Sequence, residues 1–126
     1  MNPSTKQTVL IVENEPLIRM HGADIIESAG FRVLEASSAD EAIGILTDGA
    51  AIDLVFSDID MPGSMDGLEL AAFIHKGWPE VPLLLTSGHH RIDKSALPSN
   101  GQFVPKPWAE NALVDKIRFA LQHHGA

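Results

Sequence analysis

The sequence predicts an α/β fold in which a parallel sheet is covered by helices on both faces. Short apolar runs alternate with helical patterns five times along the chain. The central runs are apolar at successive rather than alternate positions, as in strands buried on both faces. Glycine and proline separate the runs from the helical stretches. A chain of 126 residues is long enough for one proper core, and we expect a single domain over 1–126 with its core from about 8 to 121.

The first run, Thr8 to Val12 (TVLIV), is β-branched throughout most of its length. Pro16 then suits a first helical turn, and Ile18, Gly22, Ile25 and Ala29 repeat along one helical face until Gly30 stops it. Phe31 to Leu34 reads as a second, weaker strand. Ser38 and Glu41 form an S-x-x-E capping box ahead of Ala42, Ile43 and Leu46, with Gly49 as the stop. Asp53 to Ser57 is the third strand, and Gly67 to Lys76 the third helix, with Leu70, Phe73 and Ile74 at helical spacing. Val81 to Thr86 is the fourth strand, in which Pro82 is tolerable only near the start.

From Gly88 to Gln102 the helical signal falters, leaving room for two turns at Ile92 to Leu97, and His89 to Gln102 is expected to be the least ordered part of the fold. Gln102 to Val104 is a short fifth strand. Trp108 to Gln122 closes the chain as a helix with Leu113, Ile117, Ala120 and Leu121 inward.

Composition narrows the function. An apolar share of 44% with 21% charged residues argues against disorder. Seventeen acidic against nine Lys and Arg residues, a net charge of −8, argue against a nucleic-acid partner. No apolar run approaches the roughly 18 residues of a membrane span. With no cysteine and a polar segment from Met1 to Gln7, the expectation is a cytoplasmic protein without a membrane partner.

In parallel sheets of this kind, functional groups gather at the carboxyl ends of the strands. There the sequence places Glu13-Asn14-Glu15, Asp58, Thr86-Ser87 and Lys106-Pro107. Carboxylates, a hydroxyl and an ammonium on one rim suit joint binding of a divalent cation and a phosphoryl group. Mg²⁺ favours one or two carboxylates with phosphate oxygens and water. A lysine supplies a point charge and a hydroxyl a donor. Asp58 is expected to be a solvent-facing rim residue.

The segments VLIVENEPLIR, VFSDIDMPGSMDGLEL, LLLTSGH and FVPKPW resemble, in order and spacing, the motifs of the response-regulator receiver family, from about Thr8 to about Leu121. The resemblance implies the flavodoxin-like strand order 2-1-3-4-5, with an irregular fourth helix, and a free-standing receiver of a two-component phosphorelay. It makes Asp58 the phosphoacceptor and Mg²⁺ the cofactor, held by Glu13, Asn14, Asp58 and the Asp60 backbone carbonyl. Thr86 would be the switch hydroxyl, Lys106 the phosphoryl-binding cation, Lys106-Pro107 a cis peptide and Phe103 the switch aromatic. The implied donor is a histidine kinase or phosphotransfer protein, and the output is docking of a downstream protein.

Three departures stand out. Asn14 occupies a position where the family usually has a second acid. MPGSMDG is one residue longer than the common form, and the fourth helix is poorly written. Asn14 and the weak fourth helix keep open a receiver that binds its partner without phosphorylation. A haloacid dehalogenase-type phosphatase would use Asp58-Ile59-Asp60 as a D-x-D pair, but on a first strand rather than a third. His89-His90 reads as loop, because adjacent side chains do not face one way. His21 and His75 read as helix-surface residues, and Trp78 and Trp108 as local packing anchors.

Overall fold

The computed structural model describes residues 6–88, 97–98 and 101–123. Five parallel strands, β1 (Thr8–Val12), β2 (Arg32–Ala36), β3 (Leu54–Asp58), β4 (Leu83–Ser87) and β5 (Gly101–Pro105), form one sheet ordered β2-β1-β3-β4-β5. Among the described residues four helices connect or follow them: α1 (Pro16–Ser28), α2 (Ala39–Thr47), α3 (Gly67–Gly77) and α4 (Glu110–His123).

The two-residue period of a strand sorts the core into two layers. Leu10, Val12, Val55, Leu83 and Leu85 face Ala42, Leu46, Leu70 and Ile74 of α2 and α3. Val9, Ile11, Leu54, Phe56 and Leu84 face Ile25, Ile26, Leu113 and Ile117 of α1 and α4. This is the expected doubly wound arrangement. The central strands β1, β3 and β4 are buried at every position, whereas β2 at the sheet edge is mostly exposed. The edge position explains why the second strand reads weakly from sequence.

Several element ends differ from those expected. β4 begins at Leu83, after Pro82, which has no N–H for a ladder but whose carbonyl accepts from Val55 N at 3.1 Å. β2 runs Arg32–Ala36, two residues beyond the expected end. α4 starts at Glu110 rather than at Trp108, with the Ala109 carbonyl accepting from Leu113 N at 3.0 Å. Phe73, at helical spacing with Leu70 and Ile74, is 44% exposed beside Trp78, and Ala71 joins Leu70 and Ile74 on the buried stripe.

Only half of the expected capping box at α2 exists. Ser38 Oγ accepts from Glu41 N, but Glu41 Oε1 accepts from Ser37 N rather than from the cap residue. The complete box sits at α3, where Asp66 and Glu69 each accept from the other's backbone N–H. Ser64 Oγ in the preceding long loop donates to Asp40 Oδ1 of α2 at 2.8 Å. Of the expected turns at Ile92 to Leu97, all but Leu97 lie outside the described residues, as does His89-His90; Leu97 packs on the α2/α3 layer.

Candidate phosphoryl-binding site

Strand register brings the rim together. Val12 pairs with Ser57, so Glu13 leaves β1 beside Asp58 at the end of β3, and Asp58 in turn pairs with Thr86 of β4. Ser87 pairs with Pro105, which places Lys106 one residue beyond the same edge. A cleft of about 320 Å³ opens there, lined by Glu13, Asn14, Glu15, Ile18, Asp58, Asp60, Gly88 and Lys106.

Asp58 is not solvent-facing as expected: it is 3% exposed, at the floor of the cleft rather than on its lip. The reason is that β3 is the central strand of the sheet and Asp58 is its last residue. Glu13 is similarly buried. One ammonium serves both carboxylates. Lys106 Nζ lies 2.8 Å from Glu13 Oε1 and 3.3 Å from Asp58 Oδ2. The remaining oxygens are anchored by backbone: Glu15 N donates to Glu13 Oε2 at 3.0 Å, and Asp60 N to Asp58 Oδ1 at 3.3 Å. The Asp60 carboxylate accepts from Ser87 Oγ at 2.6 Å. The Lys106-Pro107 peptide is cis.

Burial, and then the adjacent Glu13 charge, push the Asp58 carboxyl above its ordinary 3.8 despite the opposing pull of Lys106 and the Asp60 N–H. Burial pulls the Lys106 ammonium down. Its hydrogen bond to Glu13 and the charges of Asp58 and Glu13 outweigh that and hold it above 10.5. The site is thus a compressed pair of acids around a firmly charged lysine.

Among the described residues no three His, Asp or Glu side chains form a ready cation cage. Two buried carboxylates, Glu13 and Asp58, nevertheless line one cleft with Asn14, and carboxylate and amide oxygens are hard donors. That set fits Mg²⁺, which completes its shell with water and phosphate oxygens.

Thr86 and Phe103 lie on different sides of the sheet. Phe103 pairs with Leu85 and packs on the α2/α3 layer. The aromatic that touches Thr86 is Trp108, whose Nε1 donates to Thr86 Oγ1 at 2.8 Å. From the sequence alone Trp108 is a packing anchor, and Ser87 and Arg19 carry no assigned role. Arg19 donates to the Glu13 carbonyl at 2.8 Å while pairing with Glu35. These contacts link residues from 6 to 27 positions apart. Periodicity carries no signal for them, although Ser87 and Trp108 both stand within the family-like motifs.

A family model for the response regulator receiver domain matches residues 9–118. Relatives include the sensor kinase CckA of Brucella abortus, 36% identical over 94% of this chain, and the nitrogen assimilation regulatory protein NtrX of Azorhizobium caulinodans, 37% identical over 90% of it. The chain spans 13% and 26% of those two proteins. Solved structures alike in fold include a response regulator receiver protein from Sinorhizobium medicae. It has a TM-score of 0.88 and 26% identity, covering 95% of this chain and 98% of that one. The receiver domain of the hybrid histidine kinase CckA has a TM-score of 0.78 and 31% identity, covering 91% and 99%. Buried acids around a lysine at the carboxyl edge of a 2-1-3-4-5 sheet thus accompany a match over most of the sequence, and the chain belongs to the response-regulator receiver family.

Proposed function

We propose that this receiver is a phosphorylation switch in which Asp58 takes a phosphoryl group from the phosphohistidine of a histidine kinase or phosphotransfer protein. The observation that carries the reading is the single Lys106 ammonium held against both buried carboxylates, Glu13 and Asp58. An Asp58 carboxylate oxygen attacks phosphorus in line, forming the O–P bond as the N–P bond breaks. The bonding pair leaves on the donor's imidazole nitrogen.

Lys106 shifts its charge toward the transferring phosphoryl oxygens, and the Asp60 N–H steadies the attacking carboxylate. Thr86 supplies a hydroxyl donor beside Asp58. Mg²⁺, held by Glu13, Asn14, Asp58 and the Asp60 carbonyl, would offset the negative charge that phosphate and two carboxylates bring together. The new contacts of the phosphorylated form bias a two-state equilibrium that a downstream protein reads. A full swing from 1:99 to 99:1 requires about 5.5 kcal/mol of differential binding.

A receiver acting without phosphorylation is the second reading, favoured by Asn14, which lines the cleft in place of an acid. Incubation with acetyl phosphate and Mg²⁺, followed by intact mass, separates the two. The switch reading expects one added phosphoryl group on the native chain and none on Asp58→Ala. It also expects a much slower gain on Lys106→Ala. A native chain that stays unmodified under these conditions favours the second reading.

A further inference from the structure

The Thr86 side chain is buried, and its oxygen is contacted by the indole of Trp108 at 2.8 Å. An indole N–H only donates, so the Thr86 oxygen must accept, and its own hydrogen is left for another partner. Among the described residues that hydroxyl donates to nothing. A buried donor without an acceptor is costly. This one stands in register with Asp58, where a phosphoryl oxygen would supply the acceptor.

The indole is itself held on several sides. Its ring packs at 5.3 Å from Phe56 and stacks at 6.1 Å and 14° on His21 of α1. The Lys106 ammonium lies 6.0 Å from its ring centre. Gly22 makes room for it: a Cβ at that position would come within 3.0 Å of Trp108 Cζ3 and 2.7 Å of Ile11 Cδ1. These contacts support the indole in the orientation in which its N–H meets Thr86.

Building on the phosphoacceptor reading of Asp58, we infer that Trp108 is a positioning residue, whose indole N–H fixes Thr86 in the orientation that directs its hydroxyl hydrogen to the phosphoryl group. The assignment also gives the site an aromatic partner on the α1/α4 side of the sheet, opposite the side where Phe103 packs.

The test compares phosphorylation rates with acetyl phosphate and Mg²⁺ for the native chain, Trp108→Phe, Thr86→Val, Thr86→Ser and the double variant Trp108→Phe/Thr86→Val. Loss of one hydrogen bond in the transition state predicts a rate about tenfold lower for Trp108→Phe and for Thr86→Val. The double variant should be no slower than either single one. Thr86→Ser, which keeps the hydroxyl, should retain most of the native rate and remain sensitive to Trp108→Phe.

A purely packing role for Trp108 gives multiplying losses in the double variant, and that result, or an unchanged rate in Trp108→Phe, overturns the inference. Should Trp108→Phe fail to fold, the indole N–H resonance of Trp108 decides. It should move on phosphorylation of the native chain and of Thr86→Ser, but not of Thr86→Val; equal movement in all three refutes the coupling. A native chain that never gains a phosphoryl group overturns the function and this inference with it. A phosphorylated native chain with independent variants overturns the inference alone.

Discussion

Replacing Gly67 with alanine should damage both fold and site, because the new methyl group has nowhere to go. An ideal Cβ there would lie 2.0 Å from the Asp58 carbonyl oxygen, 2.6 Å from Ile59 Cα and 2.8 Å from the Asp58 carbonyl carbon. All three obstacles are backbone, so no rotamer change relieves them. Moving from 2.0 Å to the 3.0 Å floor of real contacts demands a retreat of 1.0 Å. The segment that must retreat is tied down: Gly67 N donates to Ile59 O at 3.0 Å and Ile59 N to Thr86 O at 2.9 Å. Overpacking of this kind costs about 1–3 kcal/mol, and rigid backbone obstacles place it near the upper end. For a domain of this size that lowers the melting temperature by roughly 10 °C. The displaced residue is Asp58 itself, and a misplacement of about 1 Å at a reacting group costs roughly a hundredfold in rate. Thermal unfolding followed by circular dichroism and timed phosphorylation with acetyl phosphate measure the two effects. A Gly67→Ala protein that melts within about 2 °C of the native chain and phosphorylates at its rate would refute the steric argument.

Gly44→Ala is the control in the opposite direction. Gly44 is exposed within α2 and a Cβ there meets nothing within 4 Å, so helix propensity should raise stability by up to about 1 kcal/mol, seen as a higher melting temperature. Asn14→Asp should tighten Mg²⁺ binding by adding a charge to the cleft, with the gain shrinking at high ionic strength; equal titrations of the two proteins would show that Asn14 does not face the ion. Because the folded state raises the Asp58 carboxyl above 3.8, it binds that proton more tightly than the unfolded chain does. This contribution favours folding below pH 3.8 and is lost as pH rises through the folded value, so at neutral pH the ionised Asp58 weakens the fold. Asp58→Asn should therefore melt higher than the native chain at neutral pH, with the advantage fading in acid; urea unfolding at several pH values checks the sign.

The parts legible from sequence are those set by local pattern. The continuous apolar runs of β1, β3 and β4 declare strands buried on both faces, and the polar groups at the ends of these strands and of β5 follow once the strands are parallel. What stayed hidden depends on tertiary geometry or on choices among similar local signals. D-G-L-E at Asp66 to Glu69 is as good a capping signal as Ser38 to Glu41, yet only the former closes completely. Phe73 shares helical spacing with Leu70 and Ile74 yet is exposed, because apolar spacing alone does not say which edge of the stripe faces the sheet. The depth of Asp58 follows from its place on the central strand, which strand order decides and periodicity does not. Trp108 carries an apolar body and a polar edge, and only the fold shows that the edge meets Thr86.

The central claim is that Asp58 becomes an acyl phosphate, and borohydride trapping tests it most directly. Borohydride reduces an acyl phosphate to the alcohol, so a phosphorylated aspartate is recovered as homoserine. After treatment with acetyl phosphate and Mg²⁺, peptide mass spectrometry should find that conversion at position 58 and leave Asp53, Asp60 and Asp66 intact. Homoserine at another aspartate, or at none while the intact protein carries phosphate, would contradict the account.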